Sequence, residues 1–329
     1  MDRTTLYSII YALAACDGRE DALFGGCAKL ASDAFERSLA GPSFPELWFE
    51  LPLLGDPWFD LHVLTSRDDL TPDMEFPPER TGGCPEAFRW FACEQRNVRQ
   101  LALSYDVSSG DISRPAVQIL VGKREPEVIC SMLEAVGRAD AEESYRTFAS
   151  NIPKGWFACY TGVFPSRKGH NLRVECIPAR ALQDEYAHDP ALLEHDLRSV
   201  GFEGFGETLL DRCTLLAGTP MQYEMQFDVM PDGSAGSTLG ASVRFYPPPS
   251  AAGRCAFEND GPARTLMGHV EEWGLADERW RLLPQTAFAK RVRRGGKLLT
   301  IYCYPAFIKL RWRNGEPLDA KAYLIAGTQ

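Results

Sequence analysis

The sequence predicts an α+β fold in which about ten antiparallel strands close into one barrel inside a ring of helices. Two observations carry this expectation. Period-two alternation of apolar and polar residues around a turn signal occurs five times along the chain. Between these hairpins lie segments with a 3.6-residue apolar stripe and a charged opposite face. Closure follows as the economical arrangement, because ten short strands would otherwise expose their edges and the helices can cover the outer face of every strand.

In chain order, the first forty residues have helical spacing at Leu6, Ile9, Ile10, Leu13 and Ala14, then at Leu23, Cys27, Leu30, Ala34 and Phe35. The first hairpin is ELWFELPLLGDPWFDLHVL, turning at Leu53-Leu54-Gly55-Asp56-Pro57. QLALSYDVSSGDISRPAVQILVG turns at 108–111, WFACYTGVFPSRKGHNLRVECI at 164–170, and QYEMQFDVMPDGSAGSTLGASVRFY around Pro231-Asp232-Gly233. The last hairpin, AFIKLRWRNGEPLDAKAYLIAG, turns at Asn314-Gly315, the strongest short-range hairpin signal. Helical stripes occupy 85–97, 126–150, 179–200, 206–218 and 263–275. The expected organisation is a single domain over 1–329, with N-terminal helices at 4–40 and a barrel core at about 45–327. Ten strands enclose a ligand-sized lumen, which eight would fill with side chains. Two smaller α+β domains joined near Pro247-Pro248-Pro249 are the alternative.

Composition removes several function classes. A net charge of −10 argues against nucleic acid or an anionic membrane as partner, so any phosphate site must be a local basic cluster. The ten cysteines contain no CxxC and read as buried thiols of a reducing compartment. LYSIIYALAAC resembles a lipoprotein signal but lacks a basic segment before it, and no run approaches ~18 apolar residues, so a cytoplasmic location is expected. Scattered histidines give no protein metal site. RDDLTPD (67–73) reads as a solvated turn, and KRVRRGGK (290–297) as a basic loop, with docking of an acidic peptide as its functional alternative.

Strand alternation separates the two faces of the barrel, because the outer face must be apolar to meet the helices. Leu47, Phe49, Leu51, Phe59, Leu61, Val63, Val117, Ile119, Val121, Leu172, Val174, Cys176, Tyr223, Met225, Phe227, Val243 and Phe245 fall outside. The inner face then carries Trp48, Glu50, Asp60, His62, Gln118, Tyr160, Arg173, Glu175, Glu224, Arg244, Tyr246, Lys309, Arg311, Lys321 and Tyr323. Guanidinium, ammonium and phenol groups in a low-dielectric cavity suit a diphosphate.

The repeated αββα units, with FDVMPDGSAGSTLGASVRFYP and the terminal FIKLRWRNG and AKAYLI, resemble the ABBA, or PT-barrel, prenyltransferases. Within that family they look most like the cyanobactin-type peptide prenyltransferases of ribosomal peptide pathways, over about Pro45 to Gly327. The resemblance implies transfer of a dimethylallyl or geranyl group from its diphosphate to a nucleophilic side chain (Tyr, Trp or Arg class) of a ribosomally made, cyclic peptide. It further implies a diphosphate set of Tyr160, Arg173, Arg244, Tyr246, Lys309, Arg311, Lys321 and Tyr323, with Glu50 as the acid that takes the acceptor's proton. Trp48 would shield the allylic cation, and Asp60, His62, Gln118, Glu175, Glu224 and Gly240 would complete the prenyl and acceptor pocket. Mg²⁺ enters only as a companion of the diphosphate donor.

The inner face also holds more acid than a phenol or indole needs, namely Glu50, Asp60, Asp106, Glu175, Glu224 and Asp228. Those carboxylates must pair with the basic set or with a cationic acceptor such as a guanidinium. A barrel that prenylates a small indole or phenol, and a non-catalytic barrel that binds an anionic ligand, are the competing readings.

Overall fold

The computed structural model describes residues 3–38, 44–94, 98–110, 112–121, 126–164, 172–206, 208–245 and 261–329. Its strands are β1 (Glu46–Pro52), β2 (Asp60–Ser66), β3 (Val98–Tyr105), β4 (Ala116–Val121), β5 (Trp156–Val163), β6 (Leu172–Pro178), β7 (Gln222–Val229), β8 (Ala235–Arg244), β9 (Phe288–Arg294), β10 (Lys297–Arg313) and β11 (Glu316–Thr328). Strands β1 to β8 pair antiparallel in chain order, β8 continues to β10, β10 to β11, and β11 returns to β1. Ten strands therefore close into a barrel. Strands from both halves of the chain share it. Pro247-Pro248-Pro249 and Tyr246 lie outside the described residues.

The outer face is as alternation requires except at two strand ends, where Val121 and Phe245, expected outside, line the lumen cavity. Leu47, Phe49, Leu51, Phe59, Leu61, Val117, Ile119, Val174, Tyr223, Met225, Phe227 and Val243 are all buried in one apolar layer beneath the helices. Those helices are α1 (Arg3–Ala15), α2 (Ala28–Glu36), α3 (Pro85–Cys93), α4 (Pro126–Ala135), α5 (Glu142–Asn151), α6 (Arg180–Tyr186), α7 (Pro190–Ser199), α8 (Leu209–Ala217) and α9 (Pro262–Glu272). Phe24, Phe49 and Phe59 pack edge to face between the N-terminal helices and the first hairpin, with ring centroids 5.5 to 6.0 Å apart. No helix among the described residues is long and apolar enough to cross a membrane.

Three expectations need correction. The stripe at 126–150 is two helices, α4 and α5, because Gly137 adopts φ 73° between them. The stripe at 179–200 is also two. Pro190 opens α7, and the Asp189 carboxylate accepts the Ala191 and Leu192 backbone N–H groups at 3.1 Å, a helix cap. Finally, 290–297 is no loop: β9 and the start of β10 form a hairpin turning on Gly295-Gly296, whose φ values of 53° and 81° suit a type I′ turn.

The Asn314-Gly315 turn has φ of 53° and 79°, again the type I′ pattern. Gly315 also packs so closely that a Cβ on it would stand 2.3 Å from the Gly206 backbone nitrogen, whereas a Cβ on Gly55 (φ 83°) would meet nothing within 4 Å. Gly55→Ala should therefore show only the left-handed backbone cost, about 1 to 2 kcal/mol, and Gly315→Ala a clearly larger loss. Thermal denaturation of both variants checks this, and equal shifts in Tm would contradict it.

Candidate active site

The pleat delivers alternate side chains of every barrel strand to the lumen, and two local irregularities bring extra ones. A bulge between Pro305 and Phe307 turns both Ala306 and Phe307 inward, and another between Ala158 and Tyr160 does the same for Cys159 and Tyr160. Trp48, Tyr160, Phe307 and Tyr323 thereby form an aromatic waist. Phe307 and Tyr323 stack at 4.1 Å, while Trp48 meets Phe307 at 5.4 Å and Tyr160 at 5.7 Å, both edge to face.

On one side of this waist lies a charged compartment of about 50 Å³, whose lining includes Glu50, Asp60, His62, Asp106, Gln118, Arg173, Glu175, Lys309, Arg311 and Lys321. On the other lies a roomier and less densely charged aromatic compartment of about 390 Å³, whose lining includes Phe157, Phe245 and Tyr304 together with Glu46, Arg99, Glu224 and Arg244. Trp48 and Tyr160 line both.

Charges in the first compartment are interleaved rather than sorted. Glu50 and Asp60 face each other across β1 and β2, and Lys309 and Lys321 across β10 and β11. Like charges in these positions repel, and the Lys321 ammonium on the Glu50 carboxylate offsets both repulsions. Glu50 also receives His62 Nε2 at 3.0 Å, His62 Nδ1 lies 2.6 Å from Ser104 Oγ, and Gln118 Nε2 donates to that hydroxyl at 2.8 Å. Arg173 Nε donates to Asp228 at 2.7 Å, and Arg311 Nε to Asp319 at 2.7 Å. Lys309 Nζ donates to the Gln226 carbonyl oxygen at 3.2 Å, and Gln226 Nε2 donates to Glu175 at 3.2 Å. At the waist, the Arg244 guanidinium grips Glu224 at 2.8 and 3.2 Å and lies 4.5 Å from the Phe307 ring centre.

This arrangement sets the proton affinities. Burial alone would raise Glu50, but Lys321 and then His62 hold its carboxyl well below the usual range. Burial, then Glu50, pushes Asp60 up to about 6. Burial, then Glu224, pushes Glu175 up to about 7, and burial brings Lys309 down to about 8. The Tyr160 hydroxyl is wholly buried and has no hydrogen-bond partner among the described residues.

Of the residues the sequence assigns to the site, Trp48, Glu50, Asp60, His62, Gln118, Tyr160, Arg173, Glu175, Glu224, Arg244, Lys309, Arg311, Lys321 and Tyr323 all line the lumen. Gly240 lines neither compartment; its missing Cβ leaves room for Gln226, whose own Cβ would be 3.2 Å away. Tyr246 is outside the described residues. Glu46 was missed, although it sits two and four residues before Trp48 and Glu50 on the same strand face. Its Oε1 accepts the Trp48 indole N–H at 2.7 Å, and burial raises its carboxyl against the opposing pull of Trp48 and Arg244. Phe307 was missed as well, although it stands two residues before Lys309 on the same face, whereas Ala306 carries no alternation signal because of the bulge. Among the described residues, no group of three or more His, Cys, Asp or Glu is placed to hold a metal ion.

No protein-family model and no curated protein sequence matches the chain. Its fold is that of the PT barrel, shared with solved structures at low sequence identity. A 6-dimethylallyl tryptophan synthase superposes with TM-score 0.53 at 10% identity, over 99% of this chain and 96% of that one. The 5-dimethylallyltryptophan synthase from Streptomyces coelicolor gives 0.47 at 11% identity, over 98% and 90%. The 6-dimethylallyltryptophan synthase from Micromonospora olivasterospora, solved in complex with DMASPP and Trp, gives 0.47 at 13%, over 98% and 95%.

The raised carboxyls make stability fall as pH rises. Glu175 and Asp60 bind a proton more tightly folded than unfolded, where their ordinary values lie near 4. Their stabilising share is complete below that and is lost as pH climbs through about 6 for Asp60 and about 7 for Glu175. Lys309, lowered to about 8, restores stability only as pH rises from there toward its ordinary value. Glu175→Gln, which still accepts from Gln226, should therefore flatten the decline in Tm between about pH 5 and 7. A variant with the wild-type slope would contradict this assignment.

Proposed function

We propose that the protein transfers a prenyl group, dimethylallyl or geranyl, from its diphosphate to an aromatic acceptor of the indole or phenol class. The observation that carries this reading is the division of one lumen, at Trp48 and Tyr160, into a densely charged compartment and a roomier, less charged one lined by aromatic rings. Sharing a fold with a protein named 6-dimethylallyl tryptophan synthase supports it.

In this reading the diphosphate lies against Lys309, Lys321, Arg173 and Arg311, and the Tyr160 hydroxyl supplies a further donor. Since each of these cations already has a carboxylate or amide partner, donor binding exchanges partners, and carboxyls protonated near neutrality, Glu175 first, relieve the added negative charge. The allylic C–O bond breaks with its electron pair leaving on the diphosphate, and the cations stabilise that charge without reorganising. Trp48 holds the carbocation by cation–π attraction, while the Phe307–Tyr323 stack, covered by Arg244 on one side and Lys309 on the other, helps to exclude water. The acceptor attacks from the aromatic compartment, whose volume suits a bicyclic aromatic. Its proton passes to Glu46 rather than to Glu50, because Lys321 and His62 make Glu50 a poor base. The Trp48 N–H on Glu46 is itself an indole–carboxylate contact of the kind an indole substrate would make. Any Mg²⁺ would arrive with the donor, held by diphosphate oxygens, and the steps above use side chains alone.

A second reading, with the aromatic acceptor carried on a peptide, is favoured by the basic hairpin β9–β10. Intact-mass assay of the purified protein with dimethylallyl or geranyl diphosphate, and with free indoles, phenols and peptides bearing them, tests the reaction. Glu46→Gln should lower kcat by about 10²-fold or more while donor affinity stays within about twofold. A fully active variant would return the proton to another group, and no mass gain on any acceptor would overturn the proposal.

A further inference from the structure

The lumen leaves one strongly charged feature unexplained. Lys290, Arg291, Arg293, Arg294 and Lys297 stand within eight residues of a chain whose net charge is −10. None of them forms a salt bridge among the described residues. They belong to the β9–β10 hairpin, in which β9 and the first residues of β10 extend beyond the closed barrel. β10 gives one edge to β11; its other edge pairs with β8 over Phe307–Arg313 and with β9 over Lys297–Cys303. β9 ends the sheet, so its outer edge has no strand partner among the described residues.

Register fixes which way the cations face. Phe288 and Val292 pack against the outer core, and Lys290 and Arg294 share that face. Arg291 and Arg293 are on the opposite face, opposite Thr300 and Leu298, in line with Tyr302 and Tyr304 along β10. Tyr304 lines the aromatic compartment, and Tyr302 packs against the inner aromatic cluster. The two arginines therefore lie on the lumen-facing side of the wall where it extends past Tyr304 and the aromatic compartment. Beside them Leu298 is 58% exposed, one of the few large apolar side chains so placed among the described residues.

We propose that β9 is a docking edge for an acidic peptide in extended conformation, added as a further strand at the mouth of the lumen. The outer edge of β9, unpartnered among the described residues, offers backbone N–H and C=O groups at strand spacing, which only another extended backbone satisfies together. Arg291 and Arg293, two residues apart on one face, meet carboxylates at alternate positions of the incoming strand, and Leu298 meets an apolar side chain. A second copy of this chain is the poorer occupant, because pairing β9 with itself would set like charges opposite one another. A nucleic acid or an anionic bilayer offers no donors for the edge carbonyls and is repelled by the acidic remainder of the chain. Docking deepens the peptide-borne reading above, since a residue next to the added strand would enter the aromatic compartment, but binding itself does not depend on that reading.

The test is fluorescence anisotropy with a labelled peptide alternating Glu with Val, measured without any prenyl donor. The wild-type protein should bind it, at least tenfold more tightly than Arg291→Glu/Arg293→Glu does, with Arg291→Gln/Arg293→Gln intermediate and available should the Glu pair fail to fold. A peptide of equal charge carrying proline at alternate positions cannot pair with the edge and should also bind at least tenfold more weakly. Prenylation of free indoles by the variants should stay at the wild-type level. Equal affinity for the proline peptide, equal affinity of the variants, tighter binding of an oligonucleotide or of phosphatidylserine vesicles, or concentration-dependent dimerisation lost in the variants would each overturn the inference. Peptide binding without prenyl transfer to any acceptor would sink only the transferase reading, and prenylation of free indoles without peptide binding only the docking edge.

Discussion

The ion pair between Lys321 and Glu50 ties together the charged part of the lumen. Closing ten strands puts every second side chain of each strand into a space with little water, where an unpartnered charge is costly. Glu50 lies opposite Asp60 and Lys321 opposite Lys309, so either pair alone would push its strands apart. The Lys321 to Glu50 contact joins the two pairs across β1 and β11, the seam where the last strand meets the first. Barrel closure and site electrostatics are therefore one problem with one solution.

That solution shapes the chemistry available. A set of unpaired cations would bind a diphosphate tightly but would be expensive to keep in the absence of ligand. Interleaving them with Asp228, Asp319, Glu50 and the Gln226–Glu175 bridge keeps the compartment nearly balanced. The same pairing makes Glu50 strongly acidic and Glu175 weakly so, and the two acids acquire different capacities from their neighbours rather than from their type.

The waist acts on both sides at once. Trp48 faces His62 at 6.1 Å, Phe307 at 5.4 Å and Tyr160 at 5.7 Å, and its N–H reaches into the aromatic compartment to Glu46. A single side chain thereby separates the charged group from the aromatic cavity and positions the carboxylate in that cavity. Arg244, with its guanidinium on Glu224 and over Phe307, closes the other flank. Sequence similarity cannot convey such a division, and an identity of 10% to a solved barrel coexists with a shared fold.

The closed ten-strand barrel, its outer apolar face and nearly all of its inward-facing polar residues were legible in the sequence alone, because the strand pleat has a period of two and one face had to meet helices. Gly315 and Gly55 marked their turns for the same local reason. Position along a strand did not reveal which inner groups touch. That Glu50 would meet Lys321 across the closing seam, leaving Glu46 as the carboxylate among aromatics, depends on the register between residues some 270 positions apart. The bulges that add Ala306 and Cys159 to the inner face, and the strand β9 that carries Arg291 and Arg293 beyond the closed barrel, were likewise decided by tertiary structure. Each is a break in, or an addition to, the alternation from which the rest was read.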